Sequence, residues 1–269
     1  LQAIVNMIIN KLKRQKSSFY FAHRGAPWIE QENSIKSFCK AIELGCNGVE
    51  MDVQITKDKK VILYHDMFIK KQNKIFYINE LTYFQLEKAM RELNESPPPL
   101  FNEILPIIKQ NKKVIFNIEI KSNKLNNYFI IKTIKNCLQK NNIVNQCIIS
   151  SFNYLLLLQM KFYFRDVLTG FIIGQERLKK NKFTLNKIMI KALRPTSINP
   201  NGEFISNRFI YWLVQNKFLI MAYTVNTETL KSKLKRMGIT IFFTDNHSFY
   251  SNKSFKPEIT EQPIKESLL

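Results

Sequence analysis

Eight short runs of apolar and β-branched residues recur along this chain of 269 residues, and segments with helical spacing separate most of them. The runs span residues 19–23, 48–53, 114–120, 147–151, 167–173, 196–199, 218–224 and 241–244. Apolar residues recur with helical spacing at 34–44, 125–141, 153–163, 204–216 and 227–237. Strand and helix alternating in this way predict an α/β fold, a TIM (β/α)8 barrel with a parallel sheet. The length of the chain is typical of that fold.

The alternation breaks after the second predicted strand. Residues 54–65 show no helical spacing and KDKK at 57–60 predicts a turn, so we expect a hairpin of strands 49–55 and 61–66. Pairing about the centre of that turn places Asp52 opposite His65. Residues 67–100 then form a small insertion after the second strand, and a helix follows at 101–111.

The formal charge of +20 has two interpretations. It predicts attraction to an anionic partner such as nucleic acid, an anionic membrane or a phosphorylated substrate. It is also what a broad compositional drift towards Lys, Asn and Ile produces, and the basic residues form no single dense block. We favour drift for most of the charge, which still leaves a positive field that helps an anionic substrate approach.

The four cysteines form no CxxC pair and no cluster with histidine, which excludes a disulfide scaffold and the usual zinc sites. Buried, reduced thiols are the expected state, and with the absence of a signal-peptide pattern they favour a cytoplasmic protein.

The two ends of the chain differ in pattern from the middle. Residues 1–18 carry an amphipathic segment with basic residues at its end, too short and interrupted to span a bilayer. It either covers the bottom of the domain, which we favour, or makes peripheral contact with a membrane surface. The barrel is expected over 19–250, and 251–269 are expected to be a loosely ordered tail.

Acidic residues lie at the ends of two predicted strands. Glu50 and Asp52 are two residues apart, so both project to one face. Paired carboxylates repel each other unless a cation or a proton lies between them, and oxygen ligands suit Mg²⁺ or Ca²⁺. Glu119 and Lys121 repeat this spacing on the third strand. Glu119 either completes a metal site or forms an internal salt bridge with Lys121, whose other role would be a phosphate contact.

His23 and Arg24 follow the first strand, where barrel active sites lie. Histidine exchanges protons near neutral pH, and the arginine fork matches phosphate oxygens. His247 follows the last strand; we favour a solvated loop histidine there.

The order of short motifs along the chain resembles the glycerophosphodiester phosphodiesterase family. AHRG, QENS, GVEMDVQITKD, VILYHD, IEIK, SSF, AYTVN and FFTDN carry the resemblance, which covers about residues 19–246. It implies a TIM barrel that hydrolyses glycerophosphodiesters to sn-glycerol 3-phosphate and an alcohol, using a divalent metal ion. It also implies roles for individual residues: His23 and His65 as general acid and base, Arg24 and Lys121 as phosphate contacts, and Glu50, Asp52 and Glu119 as metal ligands. Attack by water and attack by the glycerol 2-hydroxyl, through a cyclic phosphate, both remain open.

Three departures from the family pattern affect expectations. Pro-Glu-Asn is Gln-Glu-Asn here, and because Glu32 and Asn33 remain we expect the cap of the following helix to survive. Tyr223 replaces the usual Trp before TVN, which alters the aromatic wall facing the substrate. Lys59 replaces the usual Gly after TKD, which predicts strain in the hairpin turn. The short insertion is where headgroup selection is expected.

Two other functions stay open. The amphipathic N-terminus favours a lysophospholipase D-like phosphodiesterase acting at a membrane surface. The charge favours a non-catalytic barrel that binds anions; such a binder has no need of two histidines and three carboxylates at strand ends. Nucleic acid is not an expected partner, since the chain has no aromatic-basic motif of RNA-binding domains.

Overall fold

The computed structural model describes residues 10, 18–72, 74–179 and 183–251. Within them the strands are β1 (Phe19–Ala22), β2 (Gly48–Ile55), β3 (Val61–Leu63), β4 (Phe68–Lys71), β5 (Lys74–Tyr77), β6 (Ile115–Ile120), β7 (Cys147–Ser151), β8 (Leu168–Ile173), β9 (Ser197–Pro200), β10 (Leu219–Ala222) and β11 (Ile241–Thr244). All but β3, β4 and β5 form a parallel barrel in the order β1–β11–β10–β9–β8–β7–β6–β2, and β1 also pairs with β2, which closes the ring. The predicted TIM barrel and its eight strands are confirmed.

Helices surround the barrel. They are α1 (Ile35–Glu43), α2 (Tyr83–Glu92), α3 (Phe101–Gln110), α4 (Tyr128–Lys140), α5 (Tyr154–Tyr163), α6 (Gln175–Lys179), α7 (Phe183–Leu193), α8 (Asn207–Gln215) and α9 (Glu228–Arg236). The two helices between β8 and β9, α6 and α7, were not predicted. The buried face of α7 begins with a polar residue, Asn186, before Ile190 and Leu193, which masks its apolar spacing.

Side-chain caps fix the points at which loops from the barrel turn into helices. Ser34, Asn153, Ser206 and Thr227 each accept a hydrogen bond from a backbone N–H in the first turn of the helix that follows. Such a cap contributes about 1 kcal/mol. The loops at the carboxyl ends of β1, β7, β9 and β10 therefore have defined lengths and endpoints.

Apolar side chains fill the lower half of the barrel. They come from the first three residues of their strands and are buried: Phe19, Phe21, Ile115, Ile148, Leu168, Met221, Ile241 and Phe243. The rings of Phe21 and Phe243 stack at 4.9 Å between centroids. Gly48 leaves room for them, because a Cβ there would lie 2.4 Å from the Phe21 ring. Burial of each large apolar side chain contributes about 1.5–3 kcal/mol, so polar groups at the other end of the barrel rest on a stable apolar floor.

The predicted hairpin after β2 is present, but its register differs from the prediction by one residue. Val53 pairs with Leu63 in the antiparallel ladder of β2 and β3. The backbone N–H of Tyr64 donates to the carbonyl of Asp52 at 3.1 Å. Asp52 therefore lies opposite Tyr64, and the expected pairing of Asp52 with His65 is wrong.

The turn of this hairpin explains the shift. Thr56 and Lys60 close it through a backbone hydrogen bond of 3.0 Å, which leaves an odd number of residues, 57–59, in the loop. Lys59 ends the loop with φ 66°, a left-handed conformation that favours glycine. The strain expected from lysine at this position is thus present in the backbone. The predicted register assumes a turn with an even number of residues, and the three-residue loop shifts the pairing by one.

The insertion after β3 has a small core of its own. Strands β4 and β5 form a two-stranded antiparallel sheet, and α2 packs with them around five buried residues: Ile62, Ile69, Ile78, Leu86 and Met90. The start of α2 is tied to the tip of the β2–β3 hairpin, since the N–H of Tyr83 donates to Asp58 Oδ1 at 2.9 Å. The insertion is therefore held beside the carboxyl end of β2.

All four cysteines are free thiols, of which Cys46 and Cys147 are buried and Cys39 is exposed. Among the described residues, no helix has the length and apolar character needed to cross a bilayer. Two predicted segments lie outside the described residues: the amphipathic N-terminal segment up to residue 17, except for residue 10, and the tail from residue 252. The proposed domain bounds of 19–250 stay a prediction.

Candidate active site

His23 and Arg24 leave the top of β1 in a tightly held loop. Arg24 and Gly25 have φ angles of 58° and 90°, in the left-handed region where an L side chain is strained. The Ser37 hydroxyl fixes the loop, donating to the carbonyl of Arg24 at 3.0 Å and accepting from the N–H of Ala26 at 2.8 Å. A Cβ at position 25 would lie 2.4 Å from Ser37 Oγ. Glycine is therefore required there, and it holds His23 and Arg24 at the carboxyl end of the strand.

The three predicted acidic residues meet inside the barrel. Asp52 on β2 and Glu119 on β6 are direct partners in the sheet register, and Glu50 lies two residues before Asp52. One carboxylate oxygen of each lies within 4.8 Å of the others, and all three residues are buried. The spacing seen in the sequence therefore brings them to one point.

The chemistry of this group fits a hard divalent cation. Burial, together with the charge of Asp52, raises the pKa of Glu50 to about 8. Burial likewise raises the pKa of Glu119. Glu50 Oε1 is buried and accepts no hydrogen bond from any described residue. Three clustered carboxylates repel one another, and oxygen donors are the ligands that Mg²⁺ and Ca²⁺ prefer.

Two basic side chains hold Asp52. Its carboxylate lies 3.3 Å from Arg24 Nε and 3.2 Å from Lys121 Nζ. Burial opposes ionisation of Asp52, but Lys121 and then Arg24 lower its pKa to about 2. Lys121 also pairs with Glu119 at 2.5 Å, so the internal salt bridge considered from the sequence is present. Arg24 and Lys121 lie at the same carboxylate, which places two positive groups beside the acidic cluster.

Asn33 makes a contact that the sequence did not predict. Its Nδ2 donates to Asp52 Oδ2 at 2.9 Å, and its Oδ1 accepts from the backbone N–H of Asp52 at 3.0 Å. The helix that follows is capped, as expected, but the residue that supplies the cap is Ser34. Asn33 instead fixes the orientation of the Asp52 carboxylate.

Asp245, directly after β11, is a second residue that sequence reasoning missed. His23 Nδ1 lies 2.7 Å from Asp245 Oδ1. Asn226 Nδ2 donates to the other carboxylate oxygen at 2.7 Å, and Asn226 Oδ1 accepts from the Asp245 backbone N–H at 2.8 Å. Burial alone would lower the pKa of His23, but Asp245 and Glu50 raise it above its ordinary value. The pair therefore fixes the ring and favours its protonated form.

His65 lies after β3, next to Asp66. The distance from its Nδ1 to Asp66 Oδ1 is 2.7 Å. Both side chains are more accessible than His23 and Asp245, at 31% and 62% exposed. Burial, Lys121 and Arg24 have the largest effects on the pKa of Asp52. The charge of His65 has the next largest effect and lowers this pKa. His65 thus lies within electrostatic reach of the acidic cluster despite the shifted register.

The opposite wall of the site is neutral. A cleft of about 250 Å³, partly open to solvent, lies beside His23, Glu50 and Glu119, and its other lining residues are uncharged: Asn117 on β6, Ile172 on β8, Asn199 on β9, Tyr223 after β10 and Phe243 on β11. Tyr223 meets Phe152 edge to face, with 6.0 Å between ring centroids. The aromatic wall predicted at Tyr223 is therefore present, with Phe152 as a second member.

His247 lies near the same end of the barrel but in a different environment from the one expected. It belongs to a short 3₁₀ helix, His247–Phe249, and is 8% exposed. Its ring packs edge-on to Trp28, with 6.2 Å between centroids. A solvated loop histidine is therefore the wrong description, because the Trp28 loop covers it.

Comparison with known proteins identifies the family of this chain. The sequence profile of the glycerophosphoryl diester phosphodiesterase family matches residues 23–248. The chain belongs to this family. The match includes His23, the acidic cluster and Asp245, and it makes the chain an enzyme, a phosphoric diester hydrolase.

Individual family relatives agree with this assignment. A glycerophosphodiester phosphodiesterase of Bacillus altitudinis is 27% identical over 236 residues, which cover 84% of this chain and 93% of the relative. A human lysophospholipase D is 25% identical over 161 residues, covering 55% of this chain and 49% of the relative. A solved structure of an Oleispira antarctica phosphodiesterase, in complex with its product sn-glycerol-3-phosphate, matches with a TM-score of 0.72 at 20% identity, covering 86% of this chain and 94% of that one. This structural match supports the fold.

Proposed function

We propose that residues 19–250 of this family member hydrolyse glycerophosphodiesters to sn-glycerol 3-phosphate and an alcohol. The observation that carries the proposal is the buried cluster of Glu50, Asp52 and Glu119 at the carboxyl ends of adjacent strands. A histidine and two basic side chains lie beside it. Family membership gives the reaction class, and the relatives' names suggest the substrate.

Arg24 and Lys121 are proposed to receive the phosphate of the substrate. Both side chains keep part of their surface exposed, at 18% and 14%. Burial opposes the charge of Lys121, but Glu119 and Asp52 raise its pKa, so it stays protonated. Fixed positive groups placed where negative charge develops lower the barrier of phosphoryl reactions.

Glu50, Asp52 and Glu119 are proposed to hold Mg²⁺ or Ca²⁺. When bound, such an ion polarises the phosphoryl oxygens. Asn33 keeps the Asp52 carboxylate in a single orientation through two hydrogen bonds, as expected of a group that supports a metal ligand.

His23 and His65 are proposed as the general acid and base. Asp245 binds His23 Nδ1, so Nε2 is the nitrogen left to exchange a proton with the substrate. Asp66 plays the same part for His65 at a more exposed site. Each proton transfer of this kind contributes roughly 10²–10⁴ in rate. Asp245 acts through His23 and is a positioning residue.

Release of glycerol 3-phosphate from glycerophosphocholine tests the proposal, with Mg²⁺, with Ca²⁺ and with EDTA, beside the Glu50→Ala variant. Metal-dependent release that Glu50→Ala abolishes is the expected result. Equal release in EDTA would refute the metal site, and absence of release with a panel of headgroups would favour a barrel kept for binding anions.

The human relative supports a second candidate, hydrolysis of lysophospholipids in the manner of a lysophospholipase D. The same site would serve, since a lysophospholipid carries the same glycerophosphodiester linkage. Faster turnover of lysophosphatidylcholine than of glycerophosphocholine, with the same dependence on Glu50, would favour it. The reverse order would reject it.

A further inference from the structure

Large apolar side chains are exposed along one sector of the barrel rim. We define the rim patch as Phe84, Leu125, Phe129, Phe152 and Leu155. Leu125 is 76% exposed and Phe84 is 73% exposed, more than any other large apolar residue that the structure describes. Exposed apolar residues that occur singly need no explanation, but a continuous group of them does.

The loops that carry the rim patch are bonded to one another, which keeps its members on one sector of the rim. Phe84 follows Tyr83, whose N–H binds Asp58 at the tip of the β2–β3 hairpin. From that same tip, Lys59 Nζ lies 5.6 Å from the centre of the Phe129 ring.

The second half of the patch is joined in the same way. Asn153, between Phe152 and Leu155, donates from Nδ2 to the carbonyls of Ser122 and Lys124, each at 3.0 Å. These bonds connect the loop of Leu125 to the start of α5. The patch therefore follows the consecutive barrel strands β2, β6 and β7.

Lysines alternate with these apolar residues. Lys57, Lys59, Lys60 and Lys124 are all exposed. The acidic residue among them, Asp58, accepts hydrogen bonds from Thr56 and from the backbone of the insertion. A surface that mixes Phe and Leu with Lys is the composition with which proteins enter an anionic membrane interface.

We propose that the rim patch docks on an anionic phospholipid bilayer. Charge decides between occupants: a formal charge of +20 opposes a second copy of the chain and attracts anionic headgroups. Each lysine near such a surface strengthens binding roughly fivefold. This goes beyond the proposed reaction, because binding to lipid requires no turnover.

The patch adjoins the acidic cluster. Lys121 Nζ lies 5.4 Å from the centre of the Phe152 ring, so one member of the patch lies directly beside the site. Docking through the patch therefore turns the mouth of the site towards the lipid headgroups.

Sedimentation with vesicles tests the proposal, using the full chain and vesicles of phosphatidylcholine with and without phosphatidylglycerol. The test variant is Phe84→Ser/Leu125→Ser. Its matched control is Phe162→Ser/Tyr211→Ser, which removes two side chains that are 71% and 67% exposed, at the far end of α5 and on α8. We expect the wild type and the control to bind anionic vesicles, and the test variant to bind at least roughly tenfold more weakly.

A second pair of variants tests the contribution of charge. Lys57→Gln/Lys124→Gln and Lys112→Gln/Lys140→Gln remove equal charge, but only the first pair lies at the patch. The first is expected to weaken binding much more than the second. Equal losses in both pairs would show that binding follows net charge and would overturn the proposal.

Three other outcomes also overturn it. They are no vesicle binding by the wild type, full binding by Phe84→Ser/Leu125→Ser, and a wild-type dimer that this variant dissociates. Full binding by the variant would transfer the lipid contact to the N-terminal segment. None of these results depends on hydrolysis, so the lipid proposal and the proposed function fail separately.

Discussion

Replacing Asp245 with Asn removes the charge beside His23 and keeps the shape of the side chain. The Nδ1–Oδ1 distance is 2.7 Å, and the two side chains are only 14% and 22% exposed, so solvent screens the pair little. A hydrogen bond to a charged group contributes about 1.5–3 kcal/mol. Since about 1.4 kcal/mol is tenfold in rate, Asp245→Asn should lower kcat roughly 10- to 150-fold if the imidazolium forms during the reaction.

The pH dependence gives a sharper readout than the rate. Asp245 raises the pKa of His23 above its ordinary value, despite burial, and His23 lowers that of Asp245, also against burial. Without this charge the pKa of His23 falls, so the limb of the kcat/KM profile that belongs to His23 moves to lower pH. The stability that the pair contributes is lost as pH rises through the folded pKa of His23, and as it falls through that of Asp245. The loss of stability in Asp245→Asn should therefore be largest between pH 3.8 and pH 6.5, the ordinary pKa values of the two groups.

Asp66→Asn is the matched control. It makes the same change beside His65 at the same 2.7 Å distance, but Asp66 is 62% exposed. Exposed pairs contribute only about 0–1 kcal/mol, so kcat should fall less than roughly fivefold. Steady-state assays across pH, with thermal unfolding to check the fold, decide the matter. Wild-type kcat and an unmoved profile in Asp245→Asn would refute the positioning role.

Three further predictions address other parts of the molecule. His23→Ala should lower kcat by roughly 10²–10⁴, whereas His247→Ala should lower the melting temperature and leave most of the activity. Full activity in His23→Ala, with activity lost in His247→Ala, would exchange their roles. In EDTA at pH 9, Glu50→Gln should melt at a higher temperature than the wild type, because burial and Asp52 raise the pKa of Glu50 to about 8 and its ionised form destabilises the fold. Added Mg²⁺ or Ca²⁺ should raise the melting temperature of the wild type only. Equal rises in both proteins would contradict the metal site. Lys59→Gly and Lys59→Ala lose the same ammonium group, but glycine accepts φ 66° without strain, so urea unfolding should find Lys59→Gly more stable by roughly 0.5–1 kcal/mol.

The barrel was predictable from sequence because its strands are buried on both faces. Such strands are near-continuous apolar runs bounded by polar loops, and all six residues of β6 are buried. The predictions that failed were those that depended on local conformation. The register of the β2–β3 hairpin depends on the left-handed backbone of Lys59, which lysine does not signal, and α7 was missed because Asn186 interrupts its apolar stripe.

The residues of the site also differ in whether the sequence could place them. Glu50 and Asp52 could be placed together because the period of a strand fixes the face of each side chain. Asp245 and Asn33 could not be placed, because their partners are set by loops that bring distant residues together. Asp245 stands 222 positions from His23. Its signals in the sequence are its place directly after the last strand, where barrel active sites lie, and the FFTDN motif that contains it.

The order of the strands separates two tasks around the ring. Strands β11, β1, β2 and β6 are consecutive neighbours, and they or the loops after them carry Asp245, His23 and the acidic cluster. The residues that β8, β9 and the loop after β10 contribute to the cleft are uncharged: Ile172, Asn199 and Tyr223. Changes in the neutral half can reshape what the cleft admits while leaving the proton and charge balance of the other half intact. We expect new substrates to arise in this lineage by replacement within β8–β10 and their loops, with the half that carries the proposed catalytic residues inherited as one module.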